Sequence, residues 1–214
     1  MNKMKKFSMI AVCAMLLVCV TIGATVAYLT SQATVTNTFT VGKVNIKLDE
    51  AKANLDGTLV DGADRVQANE YKLLPGRTCN KDPMVTVLAG SELSYVKMTV
   101  TVSKANELDA IFAPGGADLT QIVNGYAPAN WIYKGNTKDA TANTRTYEFW
   151  YKEAVGAPGA DVALDALFDS ITVPGAITGE QLETIEGMTI TVNAYAIQAD
   201  GFANADAAWT AFNA

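Results

Sequence analysis

The chain has 214 residues, with 22 acidic against 16 basic side chains, a formal net charge of -6 and no histidine. Without imidazole it cannot build the HExxH zinc helix, a Ser-His-Asp or Cys-His nucleophile, or any zinc centre that needs a ring nitrogen. A net-negative chain without basic clusters is also a poor ligand for nucleic acid or anionic membrane, so no nucleic-acid partner is expected.

The first residues include Lys3, Lys5 and Lys6 and no acid. Residues 7–26 then carry no charge and centre on Met15, Leu16, Leu17, Val18 and Val20. Thr25-Val26-Ala27 puts small residues at the −3 and −1 positions of a cut before Tyr28. That order is the signature of a secretory signal peptide, here residues 1–27, cleaved between Ala27 and Tyr28. The alternative is a retained anchor, since about 18 apolar residues can span a bilayer. Gly23, Ala24 and Ala27 crowd the end of the run and no basic cluster follows it, which favours cleavage. Membrane contact is then expected only through the uncleaved segment, and the mature protein is expected to be secreted to the matrix or cell surface. Cleavage removes three lysines and no acid, taking the formal charge from -6 to -9. Cys13 and Cys19 follow Val12 and Val18, where a lipoprotein signal wants a small residue, so lipidation is not expected. Only Cys79 survives maturation, which leaves no intramolecular disulfide and points to a buried thiol. Residues 28–214 suit a single domain with a sizeable core.

Residues 28–41 are Thr-rich and free of charge, with Val35, Phe39 and Val41 on odd numbers. Val44, Ile46 and Leu48 fall on even numbers, and the phase changes at Gly42. A missing side chain permits a break there, so two strand units are expected rather than one. Asp56-Gly57 and Asp61-Gly62 mark turns within residues 54–64; the acids lack calcium-loop spacing and are expected to be solvated. In Lys81-Asp82-Pro83, Pro83 biases Asp82 toward extended backbone, and the motif reads as a turn with a local Asp hydrogen bond and a surface lysine. A binding site is the alternative reading.

Residues 84–88 read as a strand. Val96, Met98, Val100 and Val102 alternate with polar partners, as one face of an antiparallel sheet should. Residues 131–133 and 147–151 are aromatic strand candidates. Residues 188–197 alternate again through Met188, Ile190, Val192, Ala194 and Ala196. Short helices are expected at 105–112, 119–123, 162–168, 179–185 and 206–212, with flexible loops at 114–116 and 156–159. The fold class is mainly β: a jelly-roll-like antiparallel β-sandwich with short helical insertions.

Several short pieces together resemble one family. The segment running into Ala27-Tyr28-Leu29-Thr30 looks like those cut by a SipW-type signal peptidase, an expected partner during export. Asn37-Thr38-Phe39-Thr40-Val41-Gly42 follows, as in exported proteins of the TasA/camelysin family. Pro75-Gly76, Lys81-Asp82-Pro83, Gly90-Ser91 and Tyr95-Val96 resemble that group's first core strands. Residues 194–200, Ala-Tyr-Ala-Ile-Gln-Ala-Asp, with Trp209 beyond them, resemble its closing strand. The resemblance implies a jelly-roll sandwich and, for TasA, a subunit of biofilm-matrix fibres in which one subunit's N-terminal segment completes the next one's sheet. For camelysin it implies a surface metallopeptidase.

The residues themselves are compatible with strand donation, with Val35, Phe39 and Val41 as the inserted side chains and Gly42 as the hinge. The partners would be copies of the same chain in a head-to-tail homopolymer, or related matrix proteins. The simpler alternative is that residues 28–41 form the chain's own first strand. A second class is a monomeric adhesin or carbohydrate-binding jelly roll using Trp131, Tyr133, Tyr147, Trp150 or Tyr151. An enzyme is not expected: no catalytic residue, cofactor or metal ligand is assigned. A carboxylate site drawing on Asp82, Asp109 or Asp118 would suit calcium better than catalytic zinc.

Overall fold

The computed structural model describes residues 42–112, 119 and 122–213. The expected signal peptide and its expected Ala27/Tyr28 cut, and Val35, Phe39 and Val41 of the expected donor segment, lie outside them, as does Asp118. The compact unit begins at Gly42, where the sequence changes phase.

Among the described residues, this unit contains three antiparallel sheets. Strands β1 (Ile46–Asp49), β3 (Met84–Val87) and β9 (Val162–Ala163) form the first, in the order β1-β3-β9. Strands β2 (Thr78–Asn80), β5 (Val123–Asn124) and β10 (Ser170–Thr172) form the second, ordered β2-β10-β5. The third and largest runs β11-β4-β7-β6, from β4 (Ser91–Ser103), β6 (Trp131–Asp139), β7 (Thr144–Tyr151) and β11 (Ile190–Gln198), with β8 (Val155–Ala157) paired to the start of β4. The fold is mainly β, with antiparallel sheets and short helices.

Period-two patterning explains the large sheet. Val96, Met98, Val100 and Val102 of β4 are all at most 1 % exposed. Their register partners Tyr147 and Phe149 on β7 are buried with them, and Val192 and Ala194 on β11 pack against the same core. In β6 the register shifts between Tyr133 and Gly135, so that Lys134 is an extra residue in the strand. That bulge hides the strand from a pattern reading: residues 131–133 are apolar enough to be seen, but β6 continues to Asp139 through exposed polar residues.

Among the described residues three helices decorate the sheets. Helix α1 (Ala105–Phe112) follows Lys104, which has φ 60°, and its Asn106 N–H donates to Asn143 Oδ1 across the fold at 2.8 Å. Helix α2 (Gly179–Thr184) begins with a reciprocal cap between Thr178 and Gln181. Helix α3 (Ala205–Phe212) is capped by Asn204 and buries Trp209.

Two expected helices are corrected. Residues 162–168 are not helical: Val162 and Ala163 pair with β3, and the chain then stays beside it, with Leu164 N–H donating to Val85 O and Leu167 N–H to Pro83 O. Leu164, Leu167 and Phe168 have the i, i+3, i+4 spacing of a helix, but here tertiary pairing overrides that pattern. The expected helix at 119–123 ends instead in a strand, because Val123 pairs with Ile171.

Candidate functional site

The feature with the clearest functional geometry is a groove of about 1450 Å³ between two sheets. One wall is β1 with residues 67–73; the other is residues 182–189 with the start of β11. Ile46, Leu48, Tyr71, Leu73, Met188, Ile190 and Val192 give it an apolar lining. Among the described residues both bounding strands are outermost in their sheets: β1 pairs there only with β3, and β11 only with β4.

Register fixes which backbone groups face the groove. Ser103 N–H donates to Thr189 O and Ala199 N–H to Leu93 O, so the odd-numbered residues of β11 bond to β4. Ile190, Val192, Ala194 and Ala196 therefore turn their N–H and C=O groups to the open edge. On β1, Leu88 N–H donates to Asn45 O, which by the same alternation leaves Ile46 and Leu48 on the open side. Glu50 closes the end of that edge by exchanging two backbone bonds with Val66 at 2.8 Å each. Two strand edges whose outward polar groups have no ladder partner among the described residues flank an apolar floor, the arrangement that accepts an added strand.

A polar cluster supports the β1 wall. Arg65 Nε donates to Asp49 Oδ1 at 2.6 Å, its Nη1 to Asp82 Oδ2 at 2.8 Å, and its Nη2 to the Asp82 carbonyl at 2.9 Å. Asp82 Oδ1 also accepts the Ala51 N–H at 2.7 Å. Lys81 Nζ donates to Glu50 Oε2 at 2.5 Å. Burial alone would raise the Asp49 carboxyl, but hydrogen bonds and charge from Lys47 and Arg65 outweigh it, and its pKa is held below the usual carboxylate value. Burial would likewise lower Arg65, but Asp82 and Asp49 hold its guanidinium above the ordinary value.

The Lys81-Asp82-Pro83 reading is thereby corrected. Lys81 is only 8 % exposed rather than a surface residue, and the Asp82 bonds are long-range, to Ala51 and Arg65, rather than local. Sequence periodicity carries no signal for such partners, because Glu50, Arg65 and Asn69 lie outside the regular strands. The motif ties residues 50–70 to the beginning of β3.

The other expected positions are dispersed. Gly42 is exposed, and a Cβ there would sit 2.9 Å from Glu92 Cγ. Cys79 is fully buried, and burial raises its thiol pKa. Among the sugar-stacking candidates, Trp131 and Tyr147 belong to the core, Trp150 and Tyr151 are half-buried, and Tyr133 is exposed. They form no common platform: Trp131 packs edge-on against Tyr151, whereas Trp150 packs on Trp209. Asp82 and Asp109 lie in separate ion-pair clusters, Asp109 with Lys138 and Arg145. No group of three or more carboxylate or thiol ligands placed to hold a metal occurs among the described residues.

Sequence signals missed a second cluster, on the outer face of the large sheet. Lys97 Nζ lies 4.6 Å from the Trp209 ring centre, 5.2 Å from Phe212 and 5.6 Å from Tyr195, and 3.7 Å from Glu148 Oε2. Lys97 is register-paired with Tyr195 and Trp150, and α3 covers it, so the cluster fastens that helix to the sheet. Compared with protein-family models, curated proteins and solved structures, the chain matches none of them.

Proposed function

We propose that the chain is an exported structural subunit of cell-surface or matrix fibres, assembled by strand donation. The carrying observation is the groove between β1 and β11, with open backbone edges on both sides and an apolar floor. Its occupant is residues 28–41 of a second copy. Fourteen extended residues reach about 46 Å, longer than the nine-residue β11 edge at about 30 Å. Val35, Phe39 and Val41 share one parity and would enter the floor together, each contributing roughly 1.5–3 kcal/mol before ordering costs. Donation would join β1 and β11 through a new strand and close the sheets into a jelly-roll sandwich. Because donor and groove are different surfaces, the contact is heterologous and grows head to tail. Export by a signal peptide of residues 1–27, and kinship with TasA-type matrix proteins, belong to the same proposal.

Electron microscopy and light scattering of chains beginning at Tyr28 and at Gly42 test it. Filaments are expected from the first and not the second, and Phe39→Asp should abolish them, since a carboxylate would enter an apolar groove unpaired. A synthetic 28–41 peptide should stabilise the shorter chain in proportion to its concentration. A chain beginning at Tyr28 that stays monomeric at high concentration, at acidic and neutral pH, overturns the reading.

A further inference from the structure

Glu50, Asn69 and Lys81 form one hydrogen-bonded row. Lys81 Nζ donates to Glu50 Oε2 at 2.5 Å, and Asn69 Nδ2 donates to Glu50 Oε1 at 2.9 Å. A single carboxylate thus stands between an amine and a carboxamide. Glu50 is 4 % exposed and Lys81 8 %, so little water reaches the pair. The amide is held at both ends: Asn69 Oδ1 accepts the Ala53 N–H at 2.9 Å, and Nδ2 also donates to Ala51 O at 2.9 Å.

An ion pair alone is a weak reason for such a site, because two buried charges lose hydration that their attraction barely repays. The loop also has another tie, through Arg65 to Asp49 and Asp82. The row does contain every part of an amide-forming reaction: a nucleophile, an electrophilic carbonyl, a proton carrier between them, and a backbone N–H on the carbonyl oxygen.

We propose that Lys81 and Asn69 become joined by an intramolecular isopeptide bond, with Glu50 as the proton carrier. Lys81 Nζ gives one proton to Glu50 Oε2 and, now neutral, attacks Asn69 Cγ. Negative charge collects on Oδ1, facing the Ala53 N–H. Glu50 passes that proton, and a second one taken from Nζ, to Nδ2. The Cγ–Nδ2 bond breaks, Nζ keeps one hydrogen as an amide N–H, the leaving nitrogen departs as ammonium, and Glu50 is again a carboxylate. The step is redox-neutral and consumes no co-reactant. Holding the two groups on one carboxylate replaces a slow bimolecular encounter with a local one. The link fastens the 67–73 wall of the groove to residues just before β3 whether or not the groove ever receives a strand, so it stands independently of fibre assembly.

Peptide mapping of the full chain by mass spectrometry is the test. The expected product is a branched tryptic peptide containing Asn69 and an uncleaved Lys81, lighter than its unlinked parts by one ammonia, about 17 Da. Lys81→Met and Asn69→Ala should return linear peptides of full mass. Glu50→Gln, which keeps the shape but cannot carry the proton, should leave Lys81 and Asn69 unlinked. The wild-type map does not depend on any variant folding. Linear, unmodified peptides from wild type overturn the proposal, as does Asn69 deamidated to Asp without a branch. A link that persists in Glu50→Gln overturns the role given to Glu50.

Discussion

Lys97 and Trp209 are locked face to face, with the ammonium 4.6 Å from the ring centre, although the two residues lie on different elements and far apart in sequence. The contact buries a lysine to 4 % exposure and brings α3 onto β4, β7 and β11. Truncating Trp209 to Ala should therefore cost about 3–5 kcal/mol by denaturant titration. Trp209→Phe should cost much less, because the buried indole N–H has no hydrogen-bond partner among the described residues and its removal forfeits none there. Equal losses for the two variants would contradict this account of the helix contact.

Register makes a sharper prediction at the groove. The Val192 N–H faces the open edge, so Val192→Pro should leave the β11–β4 pairing intact and lower stability by no more than about 1–2 kcal/mol while blocking filament growth. Asn193→Pro removes an N–H that bonds to β4 and should lose about 3 kcal/mol or more. Circular dichroism melts and light scattering separate the outcomes; a Val192→Pro chain that still polymerises excludes β11 as the receiving edge.

Asp49 sets an acid limit. Its folded pKa lies below its unfolded value, so its contribution is fully present above about pH 4–5 and is lost as pH falls through the folded pKa. Stability measured from pH 6 to pH 2.5 should fall more steeply in wild type than in Asp49→Asn, which has no proton to bind there. Parallel curves would show that Lys47 and Arg65 do not depress this group.

Cys79 should react only on unfolding. It has no exposed surface, its thiol is raised by burial, and Gly57 lies against it in a φ +83° conformation with no room for a side chain. Peptide mapping after maleimide treatment should find Cys79 unlabelled in native protein and labelled in denaturant. Gly57→Ala should destabilise by more than 1 kcal/mol, since it adds both strain and a clash.

Those positions also show what the sequence could disclose. Val96 to Val102 and Ile190 to Ala196 are legible because one face of each strand meets the core, which writes a period of two into the chain. The helices at α1, α2 and α3 are legible from their short amphipathic runs. Leu164, Leu167 and Phe168 mislead, because irregular chain packed beside β3 reaches the core at helical intervals. Gly42 is visible as a change of phase, whereas the groove it precedes is not, since no local pattern reports that β1 and β11 border one space. The Glu50–Asn69–Lys81 row is invisible for the same reason: its members are single polar residues brought together by tertiary folding.

The extra residue in β6 has a consequence for polarity. Among the described residues the large sheet ends on one side in β11, smooth and uncharged along residues 190–198, and on the other in β6, where the bulge interrupts the pairing rhythm and Lys134 and Lys138 are held in ion pairs with Asp206 and Asp109. A bulged border lined with charged side chains is a poor template for an approaching strand, while a plain one receives it. If subunits join through these borders, each sheet can extend from one side only. A chain of them would then have distinguishable ends, and stray lateral fusion into plaques would be suppressed.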